Sequence, residues 1–131
     1  MKWFIAIVTM FMLAGCGADW FPAASTSTSS TPIISAPFTP VTDAVSGAPT
    51  TSNPVVVTGG SVNGWPISII GGAYSINGVA YTSVPGTILP NQNLTVQITA
   101  STTINGTVTA SLTIGTAPND IVQDFVVTTT Q

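Results

Sequence analysis

Side chains that can act as acids, bases, nucleophiles or metal ligands are scarce in this 131-residue chain. It has a single basic residue, Lys2, four acidic residues that are all aspartates, one cysteine and no histidine. General acid–base catalysis and nucleophile activation depend on such side chains. We therefore expect no enzymatic activity and no bound cofactor. The net charge of −3 without a basic cluster also argues against nucleic acid as a partner, because phosphate binding depends on lysine and arginine.

The only cysteine, Cys16, follows a short apolar stretch. Lys2 supplies a positive charge near the start, and residues 3–13 are apolar except for Thr9. At ~1.5 Å per residue, this stretch is too short to cross a hydrocarbon core of about 30 Å, so it is typical of a secretory signal. Because Cys16 is the only thiol, it cannot form an internal disulfide.

The motif Leu13-Ala14-Gly15-Cys16 resembles the lipobox of bacterial lipoproteins. The resemblance implies that residues 1–15 are a signal peptide and that Cys16 becomes the lipidated N-terminus, carrying diacylglycerol and a further acyl chain such as palmitate. Two chains anchor a protein stably in a membrane. Gly17-Ala18 after the cysteine resembles the pattern for export to the outer membrane, so we expect a lipid-anchored protein of the cell envelope. The alternative is an ordinary signal peptide in which Cys16 is merely a small apolar residue.

Two further groups of side chains are candidate sites. Trp65, Tyr74 and Tyr81 could contact a glycan, because aromatic faces offer apolar area with a polar edge. The alternative for the tyrosines is a cross-strand pair or core packing. Asp120 and Asp124 could contribute oxygen ligands to Ca²⁺, but two carboxylates without a third are typical of a solvated turn, so we predict no metal site.

Residues 16–53 are dominated by Ala, Ser, Thr and Pro. Recurrent prolines oppose a continuous helix or central strand, and the polar remainder buries little apolar surface. We therefore predict that the lipidated cysteine is followed by a tether that ends at Asn53. The alternative is an extra edge strand, for which the apolar residues are Ile33, Ile34, Phe38 and Val41.

Residues 54–131 consist of short β-type runs separated by turn residues. No helical periodicity occurs there, and such spacing predicts an all-β, antiparallel sandwich of about seven strands. The predicted strands are Pro54–Thr58, Pro66–Ile70, Ala73–Ile76, Val79–Thr82, Leu94–Ala100, Thr107–Ile114 and Ile121–Thr130. The predicted core residues are Val56, Ile67, Ile69, Tyr74, Ile76, Leu94, Val96, Ile98, Val108, Leu112, Ile114, Phe125 and Val127.

The dipeptide Asn77-Gly78 predicts a hairpin. Both residues tolerate the positive φ that a type I′ turn requires. A two-residue turn at this place would set Tyr74 opposite Tyr81 and Ile76 opposite Val79.

The stretch from Gly71-Gly72 through Tyr74-Ser75-Ile76-Asn77-Gly78, with the later Leu112-Thr113-Ile114-Gly115, resembles an immunoglobulin-like module of large exported bacterial surface proteins. The resemblance covers about residues 53–130 and implies an immunoglobulin-like or fibronectin-like sandwich. In those proteins the module recurs in tandem as a spacer or adhesive stalk, whereas this chain has one copy.

We expect a lipid-anchored envelope protein that displays one such domain for structural or adhesive contacts with an envelope partner. Two alternatives are a small glycan-binding module and a filament subunit recruited by β-augmentation, since the strands lack the lysines that protect exposed edges.

Overall fold

The computed structural model describes residues 31–130, and that range is all-β, without a helix. Six of the predicted strands are confirmed, with small shifts at their ends. The predicted strand Val79–Thr82 is wrong, since only Thr82 forms a bridge, with Tyr74. The strands are β1 Ile33–Ile34, β2 Val41–Ala44, β3 Pro49–Thr51, β4 Val55–Thr58, β5 Trp65–Ile70, β6 Ala73–Ile76, β7 Gly86–Ile88, β8 Gln92–Thr99, β9 Thr107–Ile114 and β10 Ile121–Thr129.

The strands form two five-stranded sheets around a shared core, which confirms the predicted all-β class and is consistent with a sandwich. The described residues form ten strands where about seven were predicted. In the first sheet, β8 pairs with β3, β4 and β6, and β1 pairs with β4. The second sheet has the order β2-β10-β9-β5-β7. All of these pairs are antiparallel except β2 with β10, which is parallel.

A serine joins β3 and β4 into one interrupted strand along β8. Thr51 pairs with Gln97, and the pairing resumes where Val55 meets Leu94. Between them, the Ser52 backbone N–H donates to the Val96 carbonyl, and the Ser52 hydroxyl accepts from the Val96 N–H at 2.9 Å. The side chain thus takes the place of a backbone carbonyl, so this buried part of the ladder stays satisfied.

The predicted tether is wrong for residues 31–53, because this segment supplies strands to both sheets. After β1 in the first sheet, the chain crosses to β2 in the second, and the Phe38 side chain on the crossing is only 4% exposed. Its ring meets that of Phe125 edge-on at a centroid distance of 6.2 Å. The Asn53 side chain fastens the crossing by accepting from the Thr39 N–H and donating to the Pro37 carbonyl. The alternative of extra strand residues here is therefore closer to the fold, and the domain begins before Pro54.

The core contains most of the predicted apolar positions. The predicted core position of Val56 is wrong. Val55 and Val57 are fully buried, while Val56 is half-buried on the opposite face. Three successive valines leave the alternation ambiguous, and pairing of Val55 with Leu94 sets it. Ile76 and Val108 pack against the core but are only partly buried.

The Asn77-Gly78 turn is confirmed, but the predicted register beyond it is wrong. Asn77 has φ of 52° and Gly78 has φ of 77°, and the Val79 N–H donates to the Ile76 carbonyl at 3.2 Å. Tyr74 then pairs with Thr82 instead of Tyr81, so the returning segment contains one extra residue. The Ser75 hydroxyl donates to the Val79 carbonyl, which places a side-chain donor where a regular ladder would have a backbone N–H.

The chain enters the sandwich at one end, which we call the N-terminal pole. Fully buried Pro32 lies there against Gly115, at the loop that precedes β10. β10 then runs about 30 Å, at ~3.3 Å per residue, to the opposite end. At this far pole Thr129 donates its N–H to the Gly106 carbonyl, and the Gly47 N–H donates to the Ser101 carbonyl.

Candidate functional site

The three aromatic residues predicted to contact a glycan do not form one surface. Trp65 begins β5, pairs with Ile88 of β7 and is 5% exposed. Its indole lies against Gly59, where a Cβ would come within 2.6 Å of the ring. Trp65 is therefore a core residue at the N-terminal pole, and its position requires a glycine at residue 59.

Tyr74 is also a core residue, with 3% of its surface exposed. Its hydroxyl donates to the Val84 carbonyl at 2.7 Å and so fastens the loop that follows the hairpin. Burial raises the pKa of this hydroxyl, because the charged phenolate loses its hydration. The neutral phenol is thus part of the packing, and its ring face is not available to a ligand.

Tyr81 remains at the surface, 38% exposed. Its hydroxyl lies 3.1 Å from the Thr95 hydroxyl. Since Thr95 alternates along β8 with buried Leu94 and Val96, this contact lies on the outer face of the first sheet. Trp65, Tyr74 and Tyr81 therefore do not form an aromatic platform, because only Tyr81 points outward, and Tyr74 has the alternative role of a core residue.

The same face has a shallow groove of about 610 Å³, which we call the outer groove. It is lined by Pro54, Asn77, Gly78, Asn93 and Thr95. Asn77 and Asn93 are cross-linked: the Asn77 N–H donates to the Asn93 carbonyl at 2.8 Å, and Asn77 Oδ1 accepts from the Asn93 N–H at 2.9 Å. The turn and β8 therefore hold the groove in shape.

The outer groove offers uncharged hydrogen-bonding groups. Its lining contains amides, a hydroxyl and the apolar ring of Pro54, and Thr95 connects it to Tyr81. Such a surface suits a neutral ligand rich in hydroxyl groups. The sequence pattern singles out only Asn77, as a turn residue, so composition alone does not reveal that Asn77 and Asn93 share a surface.

A second, smaller groove of about 280 Å³ lies where the two sheets part beside the turn between β5 and β6. Its lining is backbone-rich and uncharged: Gly71, Gly72, Ala73, Gln97, Ile98, Thr99 and Val108. No acid, base or thiol lines it, so it offers shape without a reactive group.

The acidic residues of residues 31–130 do not form a metal site. Asp124 lies exposed on β10 and accepts a hydrogen bond from the Ser111 hydroxyl on β9. Asp120 precedes β10, and Asp43 lies on β2 in the same sheet. No group of three side chains with metal-binding chemistry occurs in this part of the chain.

Cys16, the predicted lipidation site, and the predicted signal peptide 1–15 lie outside the described residues. Within the described range, no helix has the length and apolar character needed to cross a membrane.

No protein-family model matches the sequence, and a search of curated proteins finds no significant relative.

Proposed function

We propose that this chain is a bacterial envelope lipoprotein, anchored through Cys16 and directed to the outer membrane, that displays a single immunoglobulin-like domain for structural or adhesive contacts. The anchor is supported by the order of Lys2, the apolar stretch and the motif Leu13-Ala14-Gly15-Cys16. It gives the single thiol a chemical role that an unpaired cysteine in an exported protein otherwise lacks.

The observation that carries the proposal is the position of Pro32. It lies buried at the N-terminal pole, so the described part of the chain begins at that end of the domain. At ~3.5 Å per residue, the chain from Cys16 to Pro32 reaches about 55 Å at most. A lipid anchor would therefore hold the domain close to the head groups, with the far pole directed outward.

The immunoglobulin-like assignment is supported by the chain path. The N-terminal segment contributes β1 to one sheet and β2 to the other, and β2 lies parallel to the last strand. Adjacent segments that divide between two sheets are typical of Greek-key sandwiches. The resembling residues Tyr74-Ser75-Ile76-Asn77-Gly78 form the hairpin of β6.

The far pole is the surface we assign to partner contact. Val45 and Ile104 are exposed large apolar side chains in the turns at this end. The described range has three aspartates and no basic residue, so contacts at this pole would depend mainly on apolar area and hydrogen bonds. This chemistry suits an envelope protein that presents a similar apolar surface.

Neutral glycan binding is the second candidate, and the outer groove favours it. The site differs from the predicted aromatic trio, since it retains Tyr81 and adds Asn77 and Asn93. β-Augmentation has weaker support because the edge strands β1, β2 and β7 are short and lie next to prolines. Prolines flank or precede β1, β2 and β7 at Pro32, Pro37, Pro40, Pro85 and Pro90.

Membrane fractionation of the Cys16→Ser variant tests the anchor. We expect the variant to leave the membrane pellet, whereas Ser27→Ala, a matched change in the following segment, stays in it. If Cys16→Ser still pellets and resists carbonate washing, the apolar segment is the anchor and the lipoprotein proposal is wrong.

Site-specific photo-crosslinking in intact envelopes tests the contact surface. A crosslinker at Ile104 at the far pole should capture a partner, while one at exposed Val62 near the N-terminal pole should not. The opposite pattern would overturn the orientation. A glycan array tests the second candidate, neutral glycan binding. If the outer groove binds a glycan, the unaltered protein and the Asn63→Ala control should bind it, and the Asn93→Ala variant should not.

A further inference from the structure

The chain contains the dipeptide Asn-Gly three times, and each copy lies in a turn of the domain. Asn63-Gly64 precedes β5, Asn77-Gly78 follows β6, and Asn105-Gly106 precedes β9. Glycine has no Cβ, so its backbone nitrogen is accessible to the side chain of the residue before it. An asparagine in this position can therefore react with its own main chain, without a catalytic residue or a cofactor.

The reaction is deamidation through a cyclic imide. The glycine nitrogen loses its proton and bonds to Cγ of the asparagine, the bond from Cγ to the side-chain nitrogen breaks, and ammonia leaves. Water then opens the imide at either carbonyl, which gives aspartate or isoaspartate, and nothing is oxidised or reduced. The reaction requires an asparagine side chain that can rotate toward the glycine nitrogen and a glycine N–H that is not held in a short hydrogen bond.

Two of the three dipeptides fail one of these requirements. Asn77 Oδ1 accepts from the Asn93 N–H at 2.9 Å, so this side chain is held on β8. At Asn105 the side chain is exposed, but the Gly106 N–H donates to the Thr103 carbonyl at 2.9 Å. Either hydrogen bond must break before the imide can form, so both asparagines should react slowly in the folded domain.

Asn63 meets both requirements. Its side chain is exposed and has no hydrogen-bond partner among residues 31–130. The Gly64 N–H donates to the Ser61 carbonyl at 3.4 Å, which is longer than the ordinary range of about 2.7–3.2 Å. We propose that Asn63 is a site of spontaneous deamidation, and that it reacts faster in the folded domain than the asparagines of the other two dipeptides.

The change alters a tightly packed part of the N-terminal pole. Isoaspartate lengthens the main chain next to Gly64, where a Cβ would already come within 2.5 Å of the Ile88 carbonyl. The next residue is Trp65, which pairs with Ile88 at the start of β5. Both products also add a negative charge to a range that has three aspartates and no basic residue. Because ammonia is lost, the altered form accumulates with the age of the molecule and should be less stable, whether or not Cys16 is lipidated.

Peptide mapping of the full chain after incubation at mildly alkaline pH tests the site. Aromatic and leucine residues between the three dipeptides let chymotrypsin place each on a separate peptide. Mass spectrometry then measures the replacement of NH2 by OH. In the native protein we expect the Asn63 peptide to convert several times faster than the other two. In guanidinium chloride the three rates should converge, since the turns are lost.

The three peptides are controls for one another, because each contains the same dipeptide. Asn77 or Asn105 reacting as fast as Asn63 in the native protein would overturn the proposal. A difference in rate that persists in denaturant would also overturn it, since the cause would then be local sequence and not the folded turns.

A pair of variants tests the effect on stability. Asn63→Gln must close a larger ring and should react far more slowly, while Asn119→Gln changes another exposed asparagine near the same pole. After long incubation, the urea midpoints of the unaltered protein and of Asn119→Gln should fall relative to fresh samples. The midpoint of Asn63→Gln should not change. An equal fall in Asn63→Gln would show that the loss of stability arises elsewhere and would contradict the proposed effect.

Discussion

Removing the Phe38 ring should destabilise the domain as strongly as a deletion in the centre of its core. Phe38 lies in a segment whose composition resembles a tether, yet it is 4% exposed and packs edge-on against Phe125. Truncation of a buried phenylalanine to alanine costs about 3–5 kcal/mol of unfolding free energy. A domain of this size has about 5–15 kcal/mol in total, so the loss is a large fraction.

Urea unfolding followed by far-ultraviolet circular dichroism measures this loss. With a slope of about 1–3 kcal/mol per molar urea, Phe38→Ala should lower the midpoint by about 2 M. The matched control is Ile33→Ala, which changes an apolar residue of the same segment that is 59% exposed and should shift the midpoint little. If the midpoint of Phe38→Ala equals that of the unaltered protein, residues 31–53 are not part of the cooperative domain and the fold described for them is refuted.

Three other perturbations address the boundary, the hairpin and the core tyrosine. A chain that begins at Thr31 should unfold cooperatively in urea. A chain that begins at Thr51 lacks β1, β2 and Phe38, so it should not unfold cooperatively. Cooperative unfolding of the shorter chain would contradict the domain boundary. Gly78→Val should cost about 1–3 kcal/mol, because a β-branched residue is strained at positive φ although no atom crowds the position, and Ser83→Val should cost far less; coincident urea midpoints would contradict the turn. Burial raises the pKa of Tyr74 above its ordinary value of about 10, so the unfolded chain loses the phenolic proton first, and the stability of the domain should fall as pH rises above about 10. In melting curves, Tyr74→Phe should weaken this dependence of stability on pH. An unchanged pH dependence in Tyr74→Phe would contradict the role of the Tyr74 hydroxyl.

The strands with clear alternation could be predicted from the sequence, because alternation reports directly on a half-buried face. β9 is predicted to the residue, and β8 differs only at its ends. The short strands β1, β2, β3 and β7 could not be predicted, since they contain two to four residues in proline-rich surroundings. Their pairing depends on long-range partners, such as β10 for β2, that local composition does not encode.

Single polar side chains explain the errors of register. The Asn77-Gly78 signal fixes the turn, but the hydrogen bond from Ser75 to Val79 accompanies an extra residue in the return, which separates Tyr81 from Tyr74. Ser52 similarly joins the predicted strand β4 to β3, which the sequence does not predict. A serine is common in turns and strands alike, so its partner becomes evident only in three dimensions.

The candidate sites were harder to predict for the same reason. Trp65 and Tyr74 are aromatic residues of the kind that contact glycans, but both are buried in the core. The outer groove depends on Asn77 and Asn93, which are distant in sequence and meet through the pairing of β6 with β8. Cys16 is different, because its lipobox resemblance is a local pattern that needs no fold.

The intact mass of the protein purified from bacterial membranes tests the proposed lipoprotein most directly. We predict a polypeptide that begins at Cys16 and carries the added mass of a diacylglyceryl group and an amide-linked acyl chain, with all of the lipid on the N-terminal peptide after proteolysis. A chain that retains residues 1–15, or one that begins elsewhere with an unmodified Cys16, would contradict it.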